Sequence, residues 1–136
     1  MNSMCVEFSA VSQNEAFARI CVSAFILPLD PKVSDMTDVK TAVSEAVTNA
    51  IIHGYEQGEG TVKMECTLED RHLEVIVSDK GIGIEDIEMA RKPLYTSKPD
   101  SERSGMGFTV MEAFMDSVHI TSAKDEGTVV AMTKEL

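Results

Sequence analysis

SDMTDVKTAVSEAVTNAIIHG, residues 34–54, carries apolar side chains at helical spacing: Met36, Val39, Val43, Ala46, Val47, Ala50 and Ile51 fall on one face. Ser34 or Asp35 suits the N-cap, and Gly54 ends the run, so the segment predicts one long amphipathic helix. Upstream, Met4–Ser9 alternates with a period of two and reads as a short strand. Residues 12–27 follow with mostly helical spacing, stopped by Pro28 and Pro31. Downstream, Thr61–Leu68 and Leu73–Asp79 are strand-like runs joined by Glu69-Asp70-Arg71-His72, the simplest link being a hairpin. Glu85–Ala90 reads as a short helix, Lys92–Ser104 as a polar, Pro-containing stretch, and Phe108–Met115 as an apolar helix. Val118–Ser122 and Thr128–Thr133 form a second hairpin about Asp125-Glu126-Gly127. This order predicts an α+β fold in a single domain spanning 1–136, one sheet with helices layered on one face.

Composition narrows the function. The chain has 136 residues, enough for one core and too few for a second catalytic domain, so a macromolecular substrate must come from outside. With 23 acidic against 12 basic side chains the net charge is −11, which disfavours contact with a phosphate backbone; direct nucleic-acid binding is not expected. No apolar run approaches the roughly 20 residues needed to span a bilayer, so no membrane segment is expected. The first residues lack the pattern of a secretory signal, which makes the cytoplasm the expected compartment. Cys5, Cys21 and Cys66 are widely spaced and form no C-x-x-C pair, which argues against a disulfide framework or a zinc site.

Four short motifs carry chemistry. Glu45, Asn49 and His53 recur at i, i+4 and i+8, which sets a carboxylate, an amide and an imidazole on one stripe of the long helix. Asp79-Lys80-Gly81-Ile82-Gly83 stands where a strand ends; there Asp79 can accept from an amine such as that of adenine, and Gly81 and Gly83 let backbone approach a flat ligand. Ser104-Gly105-Met106-Gly107-Phe108 opens a helix, where free N–H groups and the helix dipole can cradle phosphate. Gly127-Thr128 enters the last strand, where a hydroxyl can meet the ligand that Asp79 binds. Taken singly each has an ordinary explanation: a solvated helix face, a Gly-rich turn, a helix start, a β-former. No G-x-x-x-x-G-K-[ST] occurs, which excludes a P-loop.

In this order the motifs resemble the N, G1 and G2 boxes of the GHKL superfamily, carried by residues 44–54 (SEAVTNAIIHG), 79–83 (DKGIG) and 103–108 (RSGMGF). Among its branches the chain is most similar to the sporulation anti-sigma factors, over nearly its full length. The resemblance implies a Bergerat α/β sandwich with one mixed, mostly antiparallel sheet, binding ATP or ADP with Mg²⁺. It implies Asn49 as the Mg²⁺ ligand and Asp79 as acceptor for the adenine amine. Gly81 and Gly83 would line the base pocket and Thr128 would support it, while Ser104, Gly105, Met106, Gly107 and Phe108 hold phosphate. Thr96, Ser97, Lys98 and Arg103 would belong to an ATP lid at about 85–104, with Lys98 or Arg103 reaching the terminal phosphate; Ser97 replaces a threonine more usual in the family. Glu45, one turn from Asn49, is the expected general base. Implied partners are a sigma factor, an anti-anti-sigma factor whose serine is the acceptor, and a second copy of the chain. Arg19 is the candidate partner contact. No long helix precedes the boxes as in a histidine kinase, and His53 reads as a helix-face residue.

Overall fold

The structure, a computed structural model, describes residues 1–54, 60–81, 107–123 and 125–136. Strand β1 (Asn2–Ser9) leads into helices α1 (Asn14–Ile26) and α2 (Val33–Asn49), and then come the hairpin strands β2 (Thr61–Glu69) and β3 (His72–Asp79). Helix α3 (Gly107–Phe114) and strands β4 (Ser117–Ala123) and β5 (Gly127–Glu135) complete the order. The sheet runs β1-β2-β3-β5-β4, and all four pairings are antiparallel. Because β5 lies between β3 and β4, those two strands run in the same direction without touching, a split β-α-β arrangement. The expected short helix at Glu85–Ala90 and the lid lie outside the described residues.

Alternation along the strands produces the two faces of the sheet. Val62, Met64, Cys66 and Leu68 of β2 and Leu73, Val75 and Val77 of β3 are buried under the helices, while the residues between them are only partly covered. The helices supply the other layer: Ala18, Val22 and Ile26 from α1, Val39, Val43 and Val47 from α2, Phe108 and Met111 from α3. Helix α2 packs against both of the others and is the centre of that layer. Cys66 is enclosed, and burial, then the nearby Cys21 and Cys5 thiols, pushes its pKa up to about 12, so it behaves as a core side chain.

Two boundaries differ from expectation. Helix α2 begins at Val33, with Lys32 in extended backbone at the cap position and no side-chain cap, so neither Ser34 nor Asp35 is the N-cap. Asp35 sits instead in the first turn, where a negative charge meets the positive end of the helix dipole and, as described below, a lysine. At its other end α2 stops being α-helical at Asn49 and continues as a π turn, Ala50–Gly54. The hairpin bends place Asp70 and Asp125 at φ 54 and 63, a left-handed region that Asp tolerates better than most side chains.

Candidate functional site

Asp79 is the last residue of β3, faces the helix layer and is only 8% exposed. Gly81 donates its backbone N–H to Asp79 Oδ1 at 2.9 Å, and the backbone N–H of Thr128, its partner across the ladder, also reaches the carboxylate. Burial raises the Asp79 pKa above its ordinary value, and these two donors pull it back down. The result is a buried carboxylate fixed by backbone, a rigid acceptor for an amine donor.

Gly127 is what lets β5 come so close. Its φ of 86 is in the left-handed region, and a Cβ there would stand 2.1 Å from the Asp79 carbonyl oxygen and 2.8 Å from Lys80 Cα. Ser122 donates to the Gly127 carbonyl at 2.9 Å and lies 2.8 Å from Thr128 Oγ1. With the Ser122 proton so used, Thr128 donates to Ser122 and retains its lone pairs as acceptors.

Asn49 is half-buried at the junction of α2 with the π turn, and Glu45 lies one turn earlier on the same stripe, also half-buried. The π turn interrupts the i, i+4 spacing beyond Asn49; the His53 side chain lies outside the described residues. Gly107 opens α3 directly against Asn49: a Cβ would lie 2.9 Å from Nδ2 and 3.2 Å from Oδ1. The glycine expected in the phosphate cradle thus abuts the residue expected to hold the metal. Phe108 is 7% exposed and belongs to the core, so only its backbone remains to serve a ligand.

Two anchors bring these pieces to one end of the molecule. Lys134, near the end of β5, ion-pairs with Asp35 and Asp38 in the first turns of α2. From there Thr128 lies about 20 Å back along β5, and Asn49 lies about 16–21 Å along α2. The π turn packs against β3 and β5. Asn49, Gly107, Asp79, Gly81 and Thr128 therefore gather where α2, α3, β3 and β5 meet. Gly83, Thr96, Ser97, Lys98, Arg103, Ser104, Gly105 and Met106 lie outside the described residues.

Arg19 is separate from this group. It lines a cleft of about 560 Å³ between α1 and α2 together with Glu15, Ser44 and Thr48. Its Nε donates to Glu15 at 3.2 Å, and the Glu15 carboxylate also accepts from the Ser44 hydroxyl. Ser44 and Thr48 each precede a member of the Glu45/Asn49 stripe by one residue, so the cleft lies about 100° around α2 from that stripe.

Mg²⁺ is implied by the superfamily resemblance, and the donor set fits it. Asn49 offers one neutral amide oxygen, the kind of ligand this hard ion prefers, at the half-buried end of α2, and Gly107 packs closest to the amide nitrogen rather than to that oxygen.

Comparison with known proteins places this geometry in context. Residues 11–134 match the family of histidine kinase-like ATPase domains. The anti-sigma F factor of Clostridium kluyveri is 62% identical over 133 residues, covering 98% of this chain and 94% of that protein. Its Bacillus subtilis counterpart is 57% identical over 136 residues, covering 99% of this chain and 93% of that protein. Among solved structures, the RsbU and RsbW domains of a Mycobacterium tuberculosis protein superpose on 100% of this chain and 33% of theirs, with a TM-score of 0.72 at 19% identity. The catalytic domain of the histidine kinase ThkA superposes on 97% of this chain and 95% of its own, with a TM-score of 0.62 at 16% identity; both structures speak to the fold.

Proposed function

The chain belongs to the histidine kinase-like ATPase family and, within it, to the anti-sigma F factors, and on that premise we propose that it sequesters a sigma factor and uses Mg-ATP to phosphorylate a serine of an anti-anti-sigma factor. The observation that supports this reading is that Asp79, which we read as the adenine acceptor, and Asn49, which we read as the magnesium ligand, lie toward one end of the sheet, with the glycine that opens α3 seated on Asn49.

Phosphoryl transfer needs alignment and charge neutralisation more than covalent help. Asp79 fixes the base, Thr128 and Gly127 fix Asp79, and the first N–H groups of α3 offer donors to phosphate. Bound Mg²⁺, held by Asn49, would neutralise phosphate charge. Glu45 accepts the proton of the attacking serine hydroxyl as its oxygen bonds to the γ-phosphorus and the bond to ADP breaks. Lys98 or Arg103 of the lid meets the terminal phosphate, with Thr96, Ser97 and Ser104 as lid and cradle donors and Gly83, Gly105 and Met106 as lining. Arg19, on the α1–α2 cleft, contacts a protein partner, and the working unit is a homodimer in the cytoplasm of a sporulating cell.

The test is incubation of the purified protein with labelled ATP, Mg²⁺ and a candidate anti-anti-sigma protein, with the phosphorylated residue mapped by mass spectrometry. Phosphoserine on the partner is expected, and Glu45→Ala should reduce transfer by about 10²- to 10⁴-fold with ATP affinity kept within a few-fold. Tight ATP binding with no transfer would instead mark the protein as a non-catalytic ATP-gated sigma binder, and loss of ATP binding in Glu45→Ala would make Glu45 structural.

A further inference from the structure

Lys134 is the one lysine among the described residues that is buried, 9% exposed, on the inner face of β5. A buried ammonium is costly unless its charge and its donors are matched. Here Nζ donates to the carbonyl of Phe114, the last residue of α3, at 2.8 Å, and lies 3.7 Å from Asp38 and 3.9 Å from Asp35. One cation therefore joins three elements: the C-terminal end of α3, the N-terminal turns of α2, and β5. Its charge also suits the negative end of the α3 dipole.

The other end of α3 is where this matters. Gly107 is seated on the Asn49 amide with no room for a methyl group, so α3 lies antiparallel to α2 and is fixed at two points about 10 Å apart. Met111, midway between them, is fully buried. A helix of about two turns moves as one rigid piece, so freeing its C-terminal end lets its axis tilt and re-aims the N–H groups at its N-terminal end, where misplacement by about 1 Å is costly.

We propose that Lys134 is a positioning residue for the phosphate half of the nucleotide site, acting through α3 from the far end of the sheet. The inference rests on the nucleotide-binding reading above. It separates the two halves of the ligand, because the adenine half is held by Asp79, Gly81 and Thr128, none of which lies on α3.

Calorimetry with ATP plus Mg²⁺ and, separately, with adenosine tests it, on the full chain at a temperature where circular dichroism shows each variant folded. Lys134→Met should weaken ATP binding at least ten-fold and leave adenosine binding within two-fold, and Lys134→Arg, which keeps the cation, should restore most of the ATP affinity. Equal losses for both ligands would make Lys134 a general stability residue, and an unchanged ATP affinity would remove it from the site; either overturns the proposal. If the Met variant does not fold, Lys134→Gln, which is neutral and one atom too short to hold the Phe114 carbonyl in its present place, is read against the same two outcomes. Wild-type protein that binds neither ligand would instead sink the nucleotide reading itself.

Discussion

At Asp79 the same burial that makes a rigid acceptor also works against the folded protein. Its folded-state pKa is raised, so the folded chain holds the proton more tightly than the unfolded chain does. The stability this contributes is complete below the ordinary Asp value of 3.8 and is lost as pH rises through the raised value. Asp79→Asn should then raise the unfolding temperature of the ligand-free protein at pH 7 while weakening ATP binding, since an amide presents a donor to adenine's own donor; calorimetry reads both. A lower unfolding temperature would mean that the ionised carboxylate is net stabilising. Gly127→Ala should cost roughly 2 kcal/mol or more, from a non-glycine left-handed residue and a Cβ pressed on the Asp79 carbonyl, and should lower ATP affinity as well. Urea titration gives the first effect. Asp79 was legible from its place at the end of an alternating run followed by glycines. The steric demand on Gly127 was not, because it arises only when β5 is laid beside β3, a contact between residues far apart in the chain. Lys134 escaped for a smaller reason: the alternation Val130, Met132, Lys134 points it inward, but the expected strand stops at Thr133.

Helix α2 was read from its apolar periodicity, and its core face, Val39, Val43, Ala46 and Val47, is the one expected. What periodicity does not carry is the change of winding at Asn49. A π turn accommodates an extra residue per turn at the cost of poorer packing along the axis, and such turns recur at functional sites. Its site here is the residue proposed to hold the metal. The cap was misplaced for a related reason, since Asp35 finds its partner in Lys134 rather than in its own backbone. The contact between α3 and α2 gives a prediction at this scale. Gly107→Ala should push the Asn49 amide aside, so that ATP binding falls on the order of ten-fold, about 1.4 kcal/mol, with Mg²⁺ present and by less in the presence of a chelator. Equal losses in both conditions would place the damage in the phosphate cradle and not at the metal ligand.

For the molecule as a whole, strand alternation and helix periodicity sufficed for an α+β layer architecture, and the five-stranded sheet with helices on one face has that form. Strand order was beyond them, because both hairpins satisfy the same alternation wherever they are inserted. Leu73, fully buried on the central strand β3 but at the opposite end from Asp79, separates fold from site. Leu73→Ala should cost about 2–5 kcal/mol in denaturant unfolding, with the ATP affinity of the molecules that remain folded unchanged; a large affinity loss would show that the site senses the whole core. The position of β5 has a further consequence, one of timing. Of the strands among the described residues it is the last to leave the ribosome, yet it takes an inner place, and both its neighbours wait for it. Until it arrives, β3 offers an unpaired edge and the core lacks Val130 and Met132, leaving the kind of surface that recruits strands from other chains. Nascent chains stalled before residue 127 should therefore be sticky and blind to nucleotide, and the ability to bind ATP would be acquired in a single late step of synthesis.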